Sequence, residues 1–238
     1  MRFAVYFTPH RDEPLTRLAA SWLGRDPFSG QSAAPPDVST LSPAEIAFHT
    51  AAPRRYGFHA TLKAPFQLAP AETESALRDG LSRFAAGVEP FPVQLAIGRI
   101  DGFFALVPAG PEPLLNRLAD DVVAAFDRFR APLNEAEIER RNPDALSTEE
   151  LRNLHRWGYP YVFDTFRFHM TLTGRVGAEE AEPVRAALDE VFGGLVAAPV
   201  AIDGLALFAE PEPGAPFGVH SYSPFAQHQH AQEERKSA

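Results

Sequence analysis

Apolar and polar residues alternate at the start of the chain. Phe3, Val5 and Phe7 fall on one side and Ala4, Tyr6 and Thr8 on the other, the period-two signature of a strand with one face in a core. A helical pattern follows, Glu13-Pro14-Leu15-Thr16-Arg17-Leu18-Ala19, opened by a proline of the kind helix starts accept. The same pair recurs further on, where the apolar run Phe103 to Pro108 precedes Glu112-Pro113-Leu114-Leu115-Asn116-Arg117-Leu118-Ala119. Downstream, Phe58-His59-Ala60-Thr61-Leu62 returns as Phe168-His169-Met170-Thr171-Leu172. Beyond each comes an amphipathic helix pattern (Ser75 to Phe84, Pro183 to Phe192), then a short run, Pro92-Val93-Gln94-Leu95 or Pro199-Val200-Ala201-Ile202. One unit reads strand, helix, connection, His-bearing strand, helix, strand, and it occurs twice, over about 1–100 and 101–210. This predicts an α+β protein with two similar lobes. No polar linker parts them, so residues 1–220 are expected to form a single two-lobed domain. The polar residues 221–238, with His228 and His230 as a weak metal candidate, are expected to be a flexible tail.

The copies differ in their connections. The second, roughly Pro132 to Asp164, is the longer and carries the capping-box pattern Ser147-Thr148-Glu149-Glu150, with Gly158 and Pro160 to end that helix. It reads either as a lid over a cleft or as a surface insertion. The first, Phe28 to Arg55, is rich in Pro, Ser and Ala and reads as an irregular loop.

Composition narrows the function. With 22 basic and 31 acidic residues the net charge is -9, which opposes a long nucleic-acid footprint. There is no Cys, hence no disulfide scaffold and no thiolate chemistry. The opening MRFAVYFTPH holds too short an apolar run for a secretion signal or a membrane span, so a soluble, cytoplasmic, monomeric protein is expected. All but two of its basic residues (Lys63 and Lys236) are Arg, whose fork suits phosphate.

The chemistry lies in the two His-x-Thr-Leu tetrads. On a strand, His59 and Thr61 share one face and Phe58, Ala60 and Leu62 the other. His169 and Thr171 oppose Phe168, Met170 and Leu172 in the same way. The apolar side faces the core, so the His/Thr side must face solvent, a cleft or the other lobe. Continued alternation puts Lys63 with His59, and Arg167 and Thr173 with His169. Two imidazoles across a groove can serve as base and acid near neutrality. Displacement at a phosphodiester needs that arrangement, with hydroxyls and a cation on the non-bridging oxygens. A zinc site built on both His is the weaker alternative, since neither tetrad has a carboxylate at ligand spacing.

These paired tetrads resemble the signature of the 2H phosphoesterase superfamily. The stretches Arg54 to Lys63, Phe126 to Leu133 and Trp157 to Phe163 resemble its branch associated with phosphonate metabolism. The resemblance runs from Arg2 to about Phe217. It implies a duplicated two-lobed α+β fold with antiparallel sheets facing a central cleft and helices outside. The resemblance leaves the substrate open; the leading expectation is metal-independent, cofactor-free hydrolysis of a cyclic or bridged phosphodiester on a small ribosyl or nucleotide-like molecule. His59 and His169 would be the acid–base pair, with Thr61 and Thr171 as phosphate ligands. Tyr6, Arg54, Tyr56, Lys63 and Arg167 are candidate substrate contacts, each with a structural role as its rival. Trp157, Tyr159 and Tyr161 read as core aromatics before a stacking platform. The partner is a small phosphorylated substrate, with no stable nucleic-acid partner. A non-catalytic phosphate-ligand or RNA-binding module of the same fold is the alternative.

Overall fold

The structure, a computed structural model, describes residues 1–226. The first copy of the repeat supplies β1 (Arg2–Phe7), α1 (Pro14–Leu23), α2 (Pro43–Arg54), β2 (Ala60–Phe66), α3 (Glu74–Ala85), β3 (Phe91–Val93) and β4 (Leu95–Ile100). The second supplies β5 (Phe103–Pro108), α4 (Pro113–Phe126), α5 (Glu135–Glu139), α6 (Thr148–Trp157), β6 (Met170–Arg175), α7 (Ala181–Phe192), β7 (Val200–Ile202) and β8 (Gly204–Glu210). A last strand, β9 (Gly218–Pro224), follows. The repeated prolines open α1 and α4, and Ser147 and Glu150 form the expected capping box on α6.

Two expectations change. The first connection is not all irregular, because α2 occupies its second half. Ser42 caps it, accepting from the Glu45 N–H while the Glu45 carboxylate accepts from the Ser42 N–H. The buried face of α2 mixes Ile46 with His49, Thr50 and Pro53, so no apolar stripe announced it. The tail expectation fails for 221–226. Ser221 to Pro224 pair with β8, and Phe225 is fully buried, because the outer edge of β8 offers backbone N–H and C=O groups that need partners and Phe225 completes the core. His228 and His230 lie outside the described residues.

Seven strands form one antiparallel sheet in the order β4-β5-β6-β2-β1-β8-β9, and β3 pairs with β7 apart from it. The copies exchange their final strands. β8 of the second lies beside β1 of the first, and β4 of the first lies beside β5 of the second. The lobes β2-β1-β8-β9 and β6-β5-β4 meet at the bridge Ala60↔Met170. Helices cross over too: α2 packs on β6 and α4 on β2. Trp22 of α1, wholly buried, donates its indole N–H to the Leu172 carbonyl of β6 at 2.8 Å, so a buried donor is satisfied across the two copies. Among the described residues no helix is long and apolar enough to cross a membrane.

Candidate active site

The bridge Ala60↔Met170 joins the residues just after the two histidines. Continuing the antiparallel register sets His59 toward Thr171 and His169 toward Thr61 on one face. All four line a single cleft of about 370 Å³, while Phe58, Ala60, Leu62, Phe168, Met170 and Leu172 are buried on the other side. The alternation thus delivers what the tetrads predicted.

Each imidazole is tied in the same way. His59 Nδ1 lies 2.9 Å from the Gly57 carbonyl, and His169 Nδ1 lies 2.8 Å from the Arg167 carbonyl. A carbonyl only accepts, so Nδ1 carries the proton in both rings and Nε2 is the nitrogen left for the cleft. Thr61 Oγ1 donates to His59 Nε2 at 3.3 Å. The turn holding Gly57 needs glycine: its φ is 75°, and a Cβ there would come 2.6 Å from Pro27 Cβ.

The surroundings of the rings differ. His59 is stacked on Tyr6, with centroids 3.9 Å apart, and lies near Tyr56 and Phe208. His169 has Phe103 at 5.7 Å. Burial pushes the His59 pKa down to about 4; the bond to Gly57 opposes this and the nearby His169 adds to it. Its ring is therefore neutral at pH 7. Burial also raises the Tyr6 phenol well above its ordinary value, so it stays protonated.

Tyr6 and Tyr56 line the cleft as expected, and Tyr159 joins them. Three candidates do not. Lys63 is buried, its ammonium 3.2 Å from Asp127 Oδ1 and 3.3 Å from the Val123 carbonyl; burial lowers its pKa to about 8 against the pull of Asp127. The cause is a bulge. Val5 and Tyr6 are adjacent, yet they pair with Lys63 and Thr61, so one extra residue turns Lys63 away from the cleft and under α4. The register also slips in β6, where Thr173 is buried and its hydroxyl accepts from the Phe104 N–H. Arg54 binds the Leu23 carbonyl and Thr50, joining α1 to α2. Arg167 gives the site its carbonyl, while its side chain is exposed and not part of the cleft wall.

Other lining residues went unnoticed in the sequence. Arg2 lies on the Tyr6 side of β1, and alternation carried to the strand's first residue finds it. Leu133, Glu137, Arg140 and Arg141 come from the long second connection, which therefore forms a wall of the cleft. Nothing local in the sequence marks them, because their place depends on where α5 docks.

Residues 61–218 match a family model described as "Protein of unknown function (DUF1045)". The chain belongs to this family. Two curated relatives of this DUF1045 chain carry the name ribose 1,5-bisphosphate phosphokinase PhnN. One, from Janthinobacterium sp. (strain Marseille), is 38% identical over 94% of the chain and 51% of the relative. The other, from Laribacter hongkongensis, is 37% identical over 91% and 50%. The chain thus spans about half the length of the curated relatives it matches. Two solved structures are similar to the DUF1045 chain over nearly its whole length. TT0787 of Thermus thermophilus has a TM-score of 0.44 and 18% identity, covering 95% of this chain and 98% of its own. A phosphoesterase has a TM-score of 0.45 and 14% identity, covering 95% and 99%. The family's description and its PhnN relatives accord with the branch the motifs resemble.

Proposed function

We propose that the chain is a phosphoesterase that opens a cyclic phosphodiester on a small ribosyl or nucleotide-like molecule, in phosphonate metabolism, by paired-His catalysis without a metal. The observation that carries this is the matched pair of imidazoles: each is anchored by Nδ1 to the carbonyl two residues back and leaves Nε2 to a cleft that also holds two threonine hydroxyls. A ribose bisphosphate in the name of the curated relatives supports a ribosyl substrate.

The neutral His59 is the base. Its Nε2 takes a proton from water as the water oxygen bonds to phosphorus. The bond from phosphorus to one ribose oxygen breaks, and His169, entering the step as an imidazolium with a proton on each ring nitrogen, protonates that oxygen from Nε2. With substrate bound, the Thr61 hydroxyl turns from His59 Nε2 to the phosphate, and Thr61 and Thr171 donate to the non-bridging oxygens, where charge grows. The product is a phosphomonoester, and one proton passed from His59 back to His169 through solvent restores the pair.

The test is a panel of 2′,3′-cyclic nucleotides and ribose cyclic phosphates with wild type, His59→Ala and His169→Ala. Wild type is expected to turn over at least one, with EDTA without effect. A wild-type chain that binds members of the panel and turns over none sinks this reading in favour of the binding module.

A further inference from the structure

The cleft does not end at the histidines. Its wall includes Arg2, Arg140 and Arg141 against one carboxylate, Glu137, a local positive excess in a chain of net charge -9. Beyond Arg2, Glu137 and Arg140 opens a second cavity of about 450 Å³, which shares those three residues and adds Arg55 and Glu210. Neither the base nor the acid reaches into it, since neither histidine lines it.

The charges along this wall fall into two groups. Arg2 and Arg55 both bind the buried Glu210 carboxylate. Burial pushes that carboxyl up, but these bonds and the Gly214 N–H more than offset it and hold it below its ordinary value. Glu137 is occupied as the partner of Asn134 in the capping box of α5. Arg140 and Arg141 are committed less firmly. The Arg140 guanidinium is largely exposed and meets Glu137 only at 3.9 Å, beyond hydrogen-bond reach. The Arg141 guanidinium lies over the Tyr159 ring at 5.0 Å, an arrangement that occupies its face and leaves its edge donors for an acceptor.

We infer that Arg140 and Arg141 form a subsite for a second phosphate on the same substrate, separate from the phosphorus held between the histidines. Resting on the phosphoesterase reading, this narrows the substrate class to cyclic phosphodiesters that carry a terminal phosphomonoester. The ligand is small, because the basic wall is confined to these two cavities and the chain as a whole carries a net charge of -9. Two guanidinium forks suit a phosphomonoester dianion, whose three terminal oxygens can each accept.

The experiment compares adenosine 3′,5′-bisphosphate with adenosine 3′-monophosphate by equilibrium titration of the full chain. The bisphosphate is expected to bind at least about tenfold more tightly, the scale of one or two charge-assisted hydrogen bonds. In Arg140→Ala/Arg141→Ala, and in the bulk-keeping Arg140→Gln/Arg141→Gln, the ratio is expected to fall to near one. Arg185→Ala, on α7 and lining neither cavity, should keep it. Equal affinities in wild type, or a ratio unchanged in both double variants, overturns the subsite. Kinetics then separate the two proposals. A 5′-phosphorylated 2′,3′-cyclic nucleotide should show the higher kcat/KM. If neither cyclic compound turns over, the phosphoesterase reading falls while the binding ratio still decides the subsite.

Discussion

The two halves of the cleft share a hydrogen-bonding plan and differ in their walls. In both, the histidine stands just before a strand, its Nδ1–H donates to the carbonyl two residues back, and a threonine follows two residues on. Opposite Thr61 on β1 stands Tyr6, which stacks on His59; opposite Thr171 on β5 stands Ala105. The duplicated backbone fixes where the imidazoles are, and Tyr6, which has no counterpart in the second half, encloses His59, whose burial lowers its pKa.

The hardest blow to the comparison is to remove either ring. His59→Ala and His169→Ala are each expected to lower kcat by about 10²–10⁴-fold, the usual contribution of a positioned acid or base, with circular dichroism unchanged. If only one variant loses activity, the halves are not partners in one step.

The next effect is asymmetric. Gly57→Ala forces a left-handed φ on alanine and drives a Cβ against Pro27, at about 1–3 kcal/mol, and it displaces the carbonyl that orients His59. A lower melting temperature and a reduced kcat should appear together. Arg167→Ala at the matching place keeps its carbonyl and should leave both nearly unchanged. An equal loss in the two variants would mean that the Arg167 side chain contributes after all.

The sequence revealed the repeat, the strand-borne tetrads and the shared His/Thr face because each rests on local spacing. It misplaced Lys63 and Thr173 for a local reason as well: alternation holds only until a bulge, and the bulges come just past each motif. Arg54 was misread because its partners, Leu23 and Thr50, meet it only in the folded chain. The exchange of β4 and β8 between the copies was hidden for a deeper reason. Duplicated segments satisfy the same local pattern whether they pair within a copy or across copies, so only packing chooses. Arg140 and Arg141 of the cleft wall belong to the non-duplicated connection, where no second copy drew attention to them.

The smallest effect on the chemistry, though not on stability, sharpens the comparison most. Tyr6→Ala gives the first half the alanine that the second already has at Ala105. Removing a buried ring costs about 3–5 kcal/mol, so the variant is measured below its own melting temperature. In wild type the His59 pKa lies near 4 in the folded chain and near 6.5 unfolded. The unfolded state therefore takes up the proton first. The stability that a neutral His59 provides is complete above about pH 6.5 and is lost as pH falls toward 4. The acid limb of kcat/KM, which reports the free base, should likewise lie well below pH 6.5. With the stacked ring gone, water reaches the imidazole and its pKa climbs toward the ordinary value. The acid limb and the midpoint of the His59 ring resonances in an NMR titration should then rise together by about one unit or more. If neither moves, enclosure by Tyr6 is not what keeps His59 neutral. Repulsion from His169 would then have to carry the difference, and His169→Ala should produce the shift that Tyr6→Ala did not.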